Sequence, residues 1–321
     1  WSYCTMTKLY IHDQTFIDGK SDAPKQDQLI TIEDDKIIQI EDYHEVKENV
    51  IHENVVTPGF FNCHVHIMYP VGFGANKEFT LMEKAFYAQK HCKEYLESGV
   101  TFIRVVGTEE NYDLQIKEAF ENLVIEGPHM YCAGKVICMT GGHGWQEGIE
   151  ADGKDACLKA VRTQLRSGVD LIKMMATGGV MTKGVEPGNA QFTVDEMKVM
   201  IEEAHKAGRK TATHAQGLQG IRNALYAGID SIEHGCFLDD ECLERMKEQN
   251  TFLVPTLCAP QCIIDKGVEN GVAKYAVDKT LKVKDAHVES VKKAYEKGIQ
   301  IALGTDAGTP FNYHSNTAYE M

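Results

Sequence analysis

The chain has 321 residues, of which 43% are apolar and 25% charged, and its formal net charge is −14. No Lys/Arg cluster offsets the negative charge, which excludes a nucleic-acid-binding surface, and no apolar run approaches the roughly 20 residues that span a bilayer. We therefore expect a globular protein with no nucleic-acid or membrane partner. The composition does not exclude a homo-oligomer.

The cysteines and the N-terminus bear on the compartment. The cysteines from Cys63 to Cys262 contain no C-x-x-C pair, and we expect free, reduced thiols because disulfides are rare in the cytosol. The segment from Trp1 to Cys4 has neither an initiator Met nor the basic and apolar regions of a signal peptide. The expected compartment is therefore the cytoplasm, and the expected start of the chain is a fragment boundary.

Residues 1–56 contain short apolar runs that are typical of strands. These runs are Leu9–Ile11, Leu29–Ile32 and Ile37–Ile40, and Asp34-Asp35 marks a turn before the last of them. The pattern predicts a small β subdomain rich in hairpins.

From residue 57 the pattern changes to apolar runs separated by amphipathic helical stretches, as in repeated βα units. The helical stretches include Thr80–Ser98, Lys154–Ser167, Val194–Ala207, Leu218–Ala227 and Asp240–Gln249. The eight strand-like runs are Phe60–Ile67, Thr101–Gly107, His129–Gly134, Leu171–Ala176, Thr211–Gln216, Ser231–Gly235, Phe252–Leu257 and Gln300–Asp306. Eight parallel strands predict an α/β fold, a (β/α)8 TIM barrel over residues 57–321. An open doubly wound sheet is the alternative, but it requires a Gly-rich phosphate turn after its first strand, which the sequence lacks.

Polar residues at the predicted strand ends point to a metal site, because catalytic groups of such barrels lie at the C-terminal ends of the strands. His64 and His66 lie two residues apart on the first strand, about 7 Å apart along the backbone, which places both imidazoles on one face. His214, His234 and Asp306 end the fifth, sixth and eighth strands. A single histidine at a strand end is usually a hydrogen-bonded structural residue, but four histidines and a carboxylate at one mouth predict metal binding.

Lys173 lies in the apolar fourth strand, where an unpaired cation costs several kcal/mol. Burial lowers the pKa of a lysine, and the neutral amine can react with carbon dioxide to form a carbamate that offers two oxygens to two metals. The alternative is a buried ion pair with Asp306 or Glu233. The surrounding ligands favour the carbamate.

The motifs around these residues resemble the amidohydrolase superfamily, and the match covers nearly the whole chain. The segment from Pro58 to His66, PGFFNCHVH, is similar to the strand-one signature of that superfamily. The segments that resemble its branch with imidazolonepropionase and the metal-dependent prolidase and arginine carboxypeptidase-like dipeptidases are Ala176–Val180, Thr213–Ala215, Ser231–Gly235 and Pro255-Thr256. The resemblance implies hydrolysis of an amide.

The resemblance also implies two metal ions, with zinc as the expected ion. The implied ligands are His64, His66 and Asp306 for the first ion, His214 and His234 for the second, and the Lys173 carbamate as the bridge. Two divalent ions lower the pKa of a bridging water to near neutrality and polarise the scissile carbonyl. Asp306 then accepts the proton of the attacking hydroxide and passes it to the leaving nitrogen, or acts as a ligand only.

Substrate contacts are expected from the loops after the strands. The loop Gly141–Gly144 follows the third strand, and the dipeptidase resemblance implies that His143 contacts a substrate carboxylate; the alternative is a histidine that packs the loop. Residues 69–74 and 178–189 are two further loops that can cover the pocket. The histidines outside the strand-end pattern, interpreted as surface or packing residues, are His12, His44, His52, His91, His129, His205, His287 and His314.

The expected substrate is a dipeptide or an N-acyl amino acid, and three alternatives remain. The first is a cyclic amide hydrolase similar to imidazolonepropionase, and the second is a deaminase, against which Lys173 counts. The third is a non-catalytic scaffold, which would have lost ligands that are all present here. The resemblance further implies an eighth helix and a C-terminal completion of the β subdomain. The sequence ends at Met321 without them, so the N-terminal hairpins are expected to lack partners.

Overall fold

The computed structural model describes residues 8–73 and 77–321, and the chain divides into two compact units, residues 1–59 and 60–321. The predictions for Trp1–Cys4 and for residue 74 lie outside the described residues. Within the described part, no helix has both the length and the apolar character needed to cross a bilayer. The nine cysteines from Cys63 to Cys262 are unpaired.

The first unit contains a four-stranded sheet in the order β3-β2-β1-β4. Its strands are β1 Lys8–Phe16, β2 Lys25–Glu33, β3 Lys36–Asp42 and β4 Val50–Val56. β1 pairs antiparallel with β2 and parallel with β4, and β2 pairs antiparallel with β3 through the turn at Asp34-Asp35. The three predicted strands are present and are longer than their apolar cores, because the ladder continues into flanking polar residues.

The second unit contains two parallel sheets, a three-stranded one in the order β5-β6-β7 and a six-stranded one in the order β13-β12-β11-β10-β8-β9. The strands are β5 Phe60–Val65, β6 Val100–Val105, β7 His129–Cys132, β8 Ile137–Cys138, β9 Ile149–Glu150, β10 Leu171–Met175, β11 Lys210–Ala215, β12 Ser231–His234 and β13 Phe252–Val254. Seven of the eight predicted barrel strands are strands of these sheets. The two-residue strands β8 and β9 were not predicted.

The eighth predicted strand, Gln300–Asp306, is not a regular strand. It has a bridge from Ile301 to Leu253 of β13, and it is followed by one from Ala307 to Val65 of β5. Asp306 has a φ of 58°, which interrupts an extended conformation. Hydrogen bonds nevertheless run from this segment to both β13 and β5. The α/β class is confirmed, whereas the hydrogen bonding of the described residues records two sheets and not one continuous eight-stranded sheet.

Helices follow most of the parallel strands. They are α1 Leu81–Glu97, α2 Tyr112–Glu121, α3 Lys154–Ser167, α4 Val194–Lys206, α5 Leu218–Ala227, α6 Asp240–Gln249, α7 Cys258–Lys266, α8 Lys274–Glu296 and α9 Thr317–Glu320. Capping boxes begin α1 at Thr80 and α4 at Thr193, since each side chain accepts a backbone N–H while a glutamate three residues on bonds back. The main core lies between the strands and these helices, and it contains Ile172 and Met174 of β10 and Met200 of α4.

Candidate metal centre

The six predicted ligands line one cavity of about 820 Å³ in the second unit. Four of them come from regular strands: His64 lies on β5, Lys173 on β10, His214 on β11 and His234 at the end of β12. The remaining two, His66 and Asp306, lie just beyond the ends of strand-like segments and also line the cavity. The parallel strands therefore bring together residues that are up to 242 positions apart in the sequence, from 64 to 306.

Asp306 lies closest to the two histidines of the first strand. Its Oδ1 is 3.4 Å from His64 Nε2 and 3.2 Å from His66 Nε2. Two backbone hydrogen bonds hold the segments together, one from the Asp306 N–H to the carbonyl of His64 and one from the His66 N–H to the carbonyl of Ala307, each 2.8 Å long. The backbone of the eighth segment thus fixes the carboxylate against both imidazoles.

Each of the four imidazoles makes a hydrogen bond through one ring nitrogen to an acceptor outside the ligand set. His64 Nδ1 is 2.7 Å from Glu233 Oε2, and His66 Nδ1 is 3.1 Å from the carbonyl of Gly107. His214 Nε2 is 2.9 Å from the carbonyl oxygen of Gly178, and His234 Nδ1 is 2.7 Å from Thr256 Oγ1. The Thr256 hydroxyl donates to the carbonyl of Pro255, so its oxygen accepts from His234. These bonds assign a lone pair to the other nitrogen of each ring.

The donor set fits divalent cations. His64 and His66 each donate an Nδ1 proton to an acceptor outside the ligand set. The lone pairs of their Nε2 atoms therefore face the carboxylate of Asp306. These lone pairs and the carboxylate repel each other unless a cation or an added proton lies between them. His64, His234 and Asp306 each offer a ligand atom, and these atoms lie within 4.8 Å of one another. This cluster combines residues that the resemblance divides between two ions. Imidazole and carboxylate ligands of this kind suit zinc and similar metals.

The pKa shifts describe the same electrostatics. Burial lowers the pKa of His214 and of His234 well below the usual value, and neighbouring positive charge reinforces the effect at His214. Burial opposes ionisation of Asp306, but positive charge on the His64 and His66 imidazoles outweighs it and holds the pKa of Asp306 well below the usual range, as a proton or a metal cation between these groups would. Two neutral imidazoles and an ionised carboxylate are the protonation states that a metal ion requires.

Lys173 is buried among apolar residues and lines the cavity. Burial lowers its pKa to about 8, against the attraction of Glu233 and Asp306. Among the described residues, no carboxylate oxygen lies within 4.0 Å of its amine, and both oxygens of Glu233 are occupied by His64, Arg104 and Ser231. The ion pair considered from the sequence is therefore absent from the described part of the chain.

Three residues at the site have positive φ without being glycine. The values are 71° for His234, 59° for Thr256 and 58° for Asp306. Left-handed conformations of such residues cost on the order of 1–3 kcal/mol each and persist where the surroundings enforce them, as they do at many functional sites. The strained backbone at these strand ends places His234 and Asp306 at the cavity and Thr256 against the ring of His234.

His143 lies at the cavity on the loop after the third barrel strand, as the sequence predicted. Its Nδ1 is 2.8 Å from Thr182 Oγ1, and its ring centroid is 4.3 Å from that of His214. Burial, reinforced by Lys173, lowers its pKa to about 4, so the ring is neutral near pH 7. A Cβ atom on Gly179 would lie 2.5 Å from the His143 ring, which explains a glycine at that position.

Lys279 fixes the loop that carries Thr182. Its buried amine donates to the carbonyls of Gly179, Thr182 and Val185. Tyr275, one helical turn earlier on α8, donates to the carbonyl of Met181 at 2.9 Å. The expected covering loop 178–189 is thus attached to α8, and its residues Val180 to Thr182 line the cavity.

Comparison with known proteins identifies the family. The model of the Amidohydrolase family matches residues 55–321. The chain belongs to the amidohydrolase family. Ochratoxinase of Aspergillus niger is 31% identical over 285 residues, which cover 78% of this chain and 58% of that protein. This amidohydrolase therefore matches somewhat more than half the length of that curated relative.

Solved structures agree with this assignment. A Xaa-Pro dipeptidase with bound methionine in its active site has a TM-score of 0.90 and 31% identity, covering 98% of this amidohydrolase and 82% of that chain. The crystal structure of A. niger ochratoxinase has a TM-score of 0.85 and 27% identity, covering 98% and 78%. The resemblance inferred from the sequence is confirmed, and the relatives are consistent with its dipeptidase branch.

Sequence reasoning missed several residues around the site of this amidohydrolase. Glu233 was considered only as a partner for Lys173, yet it accepts from His64 and pairs with Arg104 at 2.7 Å. His287 was interpreted as a packing residue; it lines the cavity and its Nε2 donates to the carbonyl of His234 at 2.9 Å. Glu147 also lines the cavity and was not predicted. The Glu-His sequence that ends β12 is the one signal that could have indicated a carboxylate beside the ligands.

Proposed function

We propose that this amidohydrolase hydrolyses the carbon–nitrogen bond of a dipeptide or an N-acyl amino acid with two divalent metal ions, zinc being the expected ion. The proposal is carried by one observation, the four imidazoles whose outward hydrogen bonds leave a lone pair facing Asp306 and the cavity. It is supported by two relatives whose names denote an Xaa-Pro dipeptidase and an ochratoxinase.

Within this proposal, residues 57–321 form one (β/α)8 barrel. The support is the segment 300–307, which accepts and donates backbone hydrogen bonds on both sides. Ala302 donates to the carbonyl of Leu253 at 2.9 Å, and Cys63 donates to the carbonyl of Leu303 at 2.7 Å. The segment thereby links the free edge of β13 to β5, as barrel closure requires.

Lys173 is proposed to carry a carbamate that bridges the two ions. An amine whose pKa is about 8 has a neutral fraction near pH 7 that can react with carbon dioxide, and its lack of a carboxylate partner within 4.0 Å among the described residues leaves the nitrogen available. The modified side chain is an anion, which compensates the charge of metal ions in a buried site.

The reaction then divides between the ions and the chain. Divalent ions held by the four histidines and Asp306 would supply an activated water at neutral pH and polarise the scissile carbonyl. Asp306, ionised and held by backbone hydrogen bonds, accepts the proton of that water and delivers it to the departing nitrogen. His143, neutral and oriented by Thr182, is proposed to donate a hydrogen bond to the substrate carboxylate.

Metal analysis of the pure protein and a substrate screen test the proposal. After reconstitution with zinc and bicarbonate we expect about two equivalents of metal per chain, and one or none would overturn the carbamate-bridged centre. The screen compares Xaa-Pro dipeptides, Xaa-Arg dipeptides and N-blocked amino acids with cyclic amides. Turnover of cyclic amides alone would refute the dipeptidase proposal, and no turnover of any substrate by metal-loaded protein would support a non-catalytic scaffold.

A further inference from the structure

The site imidazoles form a series across the cavity whose two ends differ chemically. Successive ring centroids are 5.5 Å apart from His66 to His64, 5.1 Å from His64 to His234 and 4.6 Å from His234 to His214. His143 continues the series beyond His214 at 4.3 Å, and Tyr69 continues it beyond His66 at 5.8 Å. His143 therefore lies beside the predicted ligand His214, and Tyr69 lies beside the predicted ligand His66, so a substrate over the ligand set meets both rings.

The end near Tyr69 presents a carboxylate. The Tyr69 hydroxyl donates to Glu147 Oε2, and both side chains line the cavity. The other oxygen, Oε1, makes no hydrogen bond to the described residues, and no cationic group among them lies within 4.0 Å of the carboxylate. Lys84, whose amine is 6.0 Å from the centroid of the Tyr69 ring, is paired with Glu109. Glu147 is thus a partly buried carboxylate with one oxygen available to a cation in the cavity.

The end near His143 presents the opposite character. The His143 ring, held by Thr182 at 2.8 Å, lines the cavity, and Val180 and Met181 beside it give the cavity an apolar wall. Such a wall suits the side chain of an apolar residue, and an imidazole N–H suits a carboxylate. A zwitterionic dipeptide with its scissile bond over the ligands has a cationic amino terminus on one side and a carboxylate on the other, which matches the two ends.

We propose that Glu147, oriented by Tyr69, binds the α-ammonium group of the substrate and makes this protein selective for dipeptides with a free amino terminus over N-acyl amino acids. The inference rests on the proposed function and narrows its substrate class. A carboxylate that faces an ammonium group in a partly desolvated cavity forms a charge-assisted hydrogen bond, whereas an acylated nitrogen is uncharged and offers at most one weaker, neutral N–H donor.

The test compares L-alanyl-L-proline with N-acetyl-L-alanyl-L-proline, which contain the same scissile bond. The metal-loaded wild type is expected to have the higher kcat/KM on the free dipeptide. Glu147→Gln keeps an acceptor for the Tyr69 hydroxyl and removes the charge, so kcat/KM for the free dipeptide should fall about 10- to 100-fold, while the acetylated substrate should change by less than about 3-fold. Glu118→Gln, on the exposed surface of α2, is the matched control and should match the wild type.

Two further measurements distinguish recognition of the α-ammonium group from recognition of any cation and from an effect on turnover alone. N-acetyl-L-lysyl-L-proline carries a side-chain cation but no α-ammonium, and it should respond to Glu147→Gln as the acetylated alanyl substrate does. Calorimetric binding of alanyl-proline to metal-loaded Asp306→Asn protein, with and without Glu147→Gln, should show the same loss of affinity without turnover.

Several results would overturn the inference. An equal loss on both alanyl substrates, no loss on either, or a loss confined to the lysyl substrate would each remove the α-ammonium assignment. A wild type that prefers the acetylated substrate would also overturn it, while the proposed amide hydrolysis would stand. Hydrolysis of neither alanyl substrate would overturn the dipeptidase function together with this inference.

Discussion

At the scale of single residues, the orientation of the imidazoles depends on acceptors that are not themselves ligands. Glu233, Thr256 and the carbonyls of Gly107 and Gly178 each accept from one ring nitrogen and leave the other for a metal. Acceptors of this kind fix the tautomer and the ring orientation, and their loss typically reduces metal affinity about 10- to 100-fold. Two of the four acceptors are backbone carbonyl oxygens, which a side-chain substitution does not remove.

Thr256→Val tests this role at a side chain. Valine has the same shape, so the substitution removes the acceptor of His234 with little change in packing. We expect zinc affinity at one site to fall about 10- to 100-fold, measured by competition with a chromophoric chelator. Thr280→Val is the matched control, because Thr280 also lines the cavity but donates within α8 to Ala276. Equal affinities in the two variants would contradict the role of Thr256.

Asp306→Asn separates the ligand role of this residue from proton transfer. The amide keeps an oxygen that can approach the metal, but it cannot accept a proton at neutral pH. We expect most of the bound metal to remain and kcat to fall by at least about 100-fold, the usual range for general acid–base catalysis being 10²–10⁴. Metal content and kcat are measured on the same preparation. A variant with near-normal kcat would show that Asp306 is a ligand only.

At the scale of elements, the loop 178–189 is positioned by α8 and in turn positions His143. Gly179 allows the His143 ring to lie against the loop backbone, and Lys279 of α8 holds three of the loop carbonyls. Among the described residues no carboxylate lies within 4.0 Å of the Lys279 amine, so backbone carbonyls are its partners. The wall of the cavity therefore depends on contacts between elements that are about 100 residues apart.

Gly179→Ala tests the contact with His143. The added methyl group would lie 2.5 Å from the ring, which must then move away from Thr182. We expect KM for a dipeptide to rise about 10-fold or more, since a displacement of about 1 Å in a positioning group can cost 10²-fold. Gly188→Ala in the same loop is the control, because its Cβ meets nothing within 4 Å. Similar KM values for the two variants would show that His143 does not bind substrate.

Lys279→Met tests the attachment of the loop to α8. Methionine preserves most of the side-chain volume but leaves three carbonyls without their donor, each worth about 0.5–1.5 kcal/mol. We expect the free energy of unfolding to fall by about 2 kcal/mol and KM to rise several-fold. Denaturant unfolding and steady-state kinetics measure the two effects. Lys292→Met, at an exposed position of the same helix α8 and away from the loop, should alter neither.

The strands and the polar residues at their ends could be predicted from the sequence, because apolar periodicity and polar strand ends are local signals. Seven predicted strands are present, and all six predicted ligands line the cavity. The two-residue strands β8 and β9 carry too little periodicity to be recognised. The left-handed backbone at Asp306, the carbonyl partners of His66 and His214, and the carboxylate of Glu147 arise from tertiary contacts, which no spacing of side chains records.

At the scale of the whole molecule, the candidate metal centre brings together a largely buried carboxylate and imidazole lone pairs, which bound cations would compensate. A ligand that binds only the folded state at about 1,000 times its Kd stabilises it by roughly 4 kcal/mol. Removing the metal with a chelator should therefore lower Tm by roughly 6 °C for a chain of this size. Differential scanning calorimetry before and after chelation, with zinc added back as the control, measures the shift. An unchanged Tm would mean that the folded chain does not depend on metal.

The attachment of loop 178–189 to α8 has a consequence for how substrates are selected. The loop loses its conformational entropy when the chain folds, because Lys279 fixes it at that stage. Substrate binding therefore requires little further ordering of this wall. Selectivity at the apolar end should then follow shape, with affinity declining steadily as the side chain outgrows the space beside Val180 and Met181. A series of Ala-Xaa dipeptides of increasing side-chain volume should accordingly differ in dissociation rate more than in association rate.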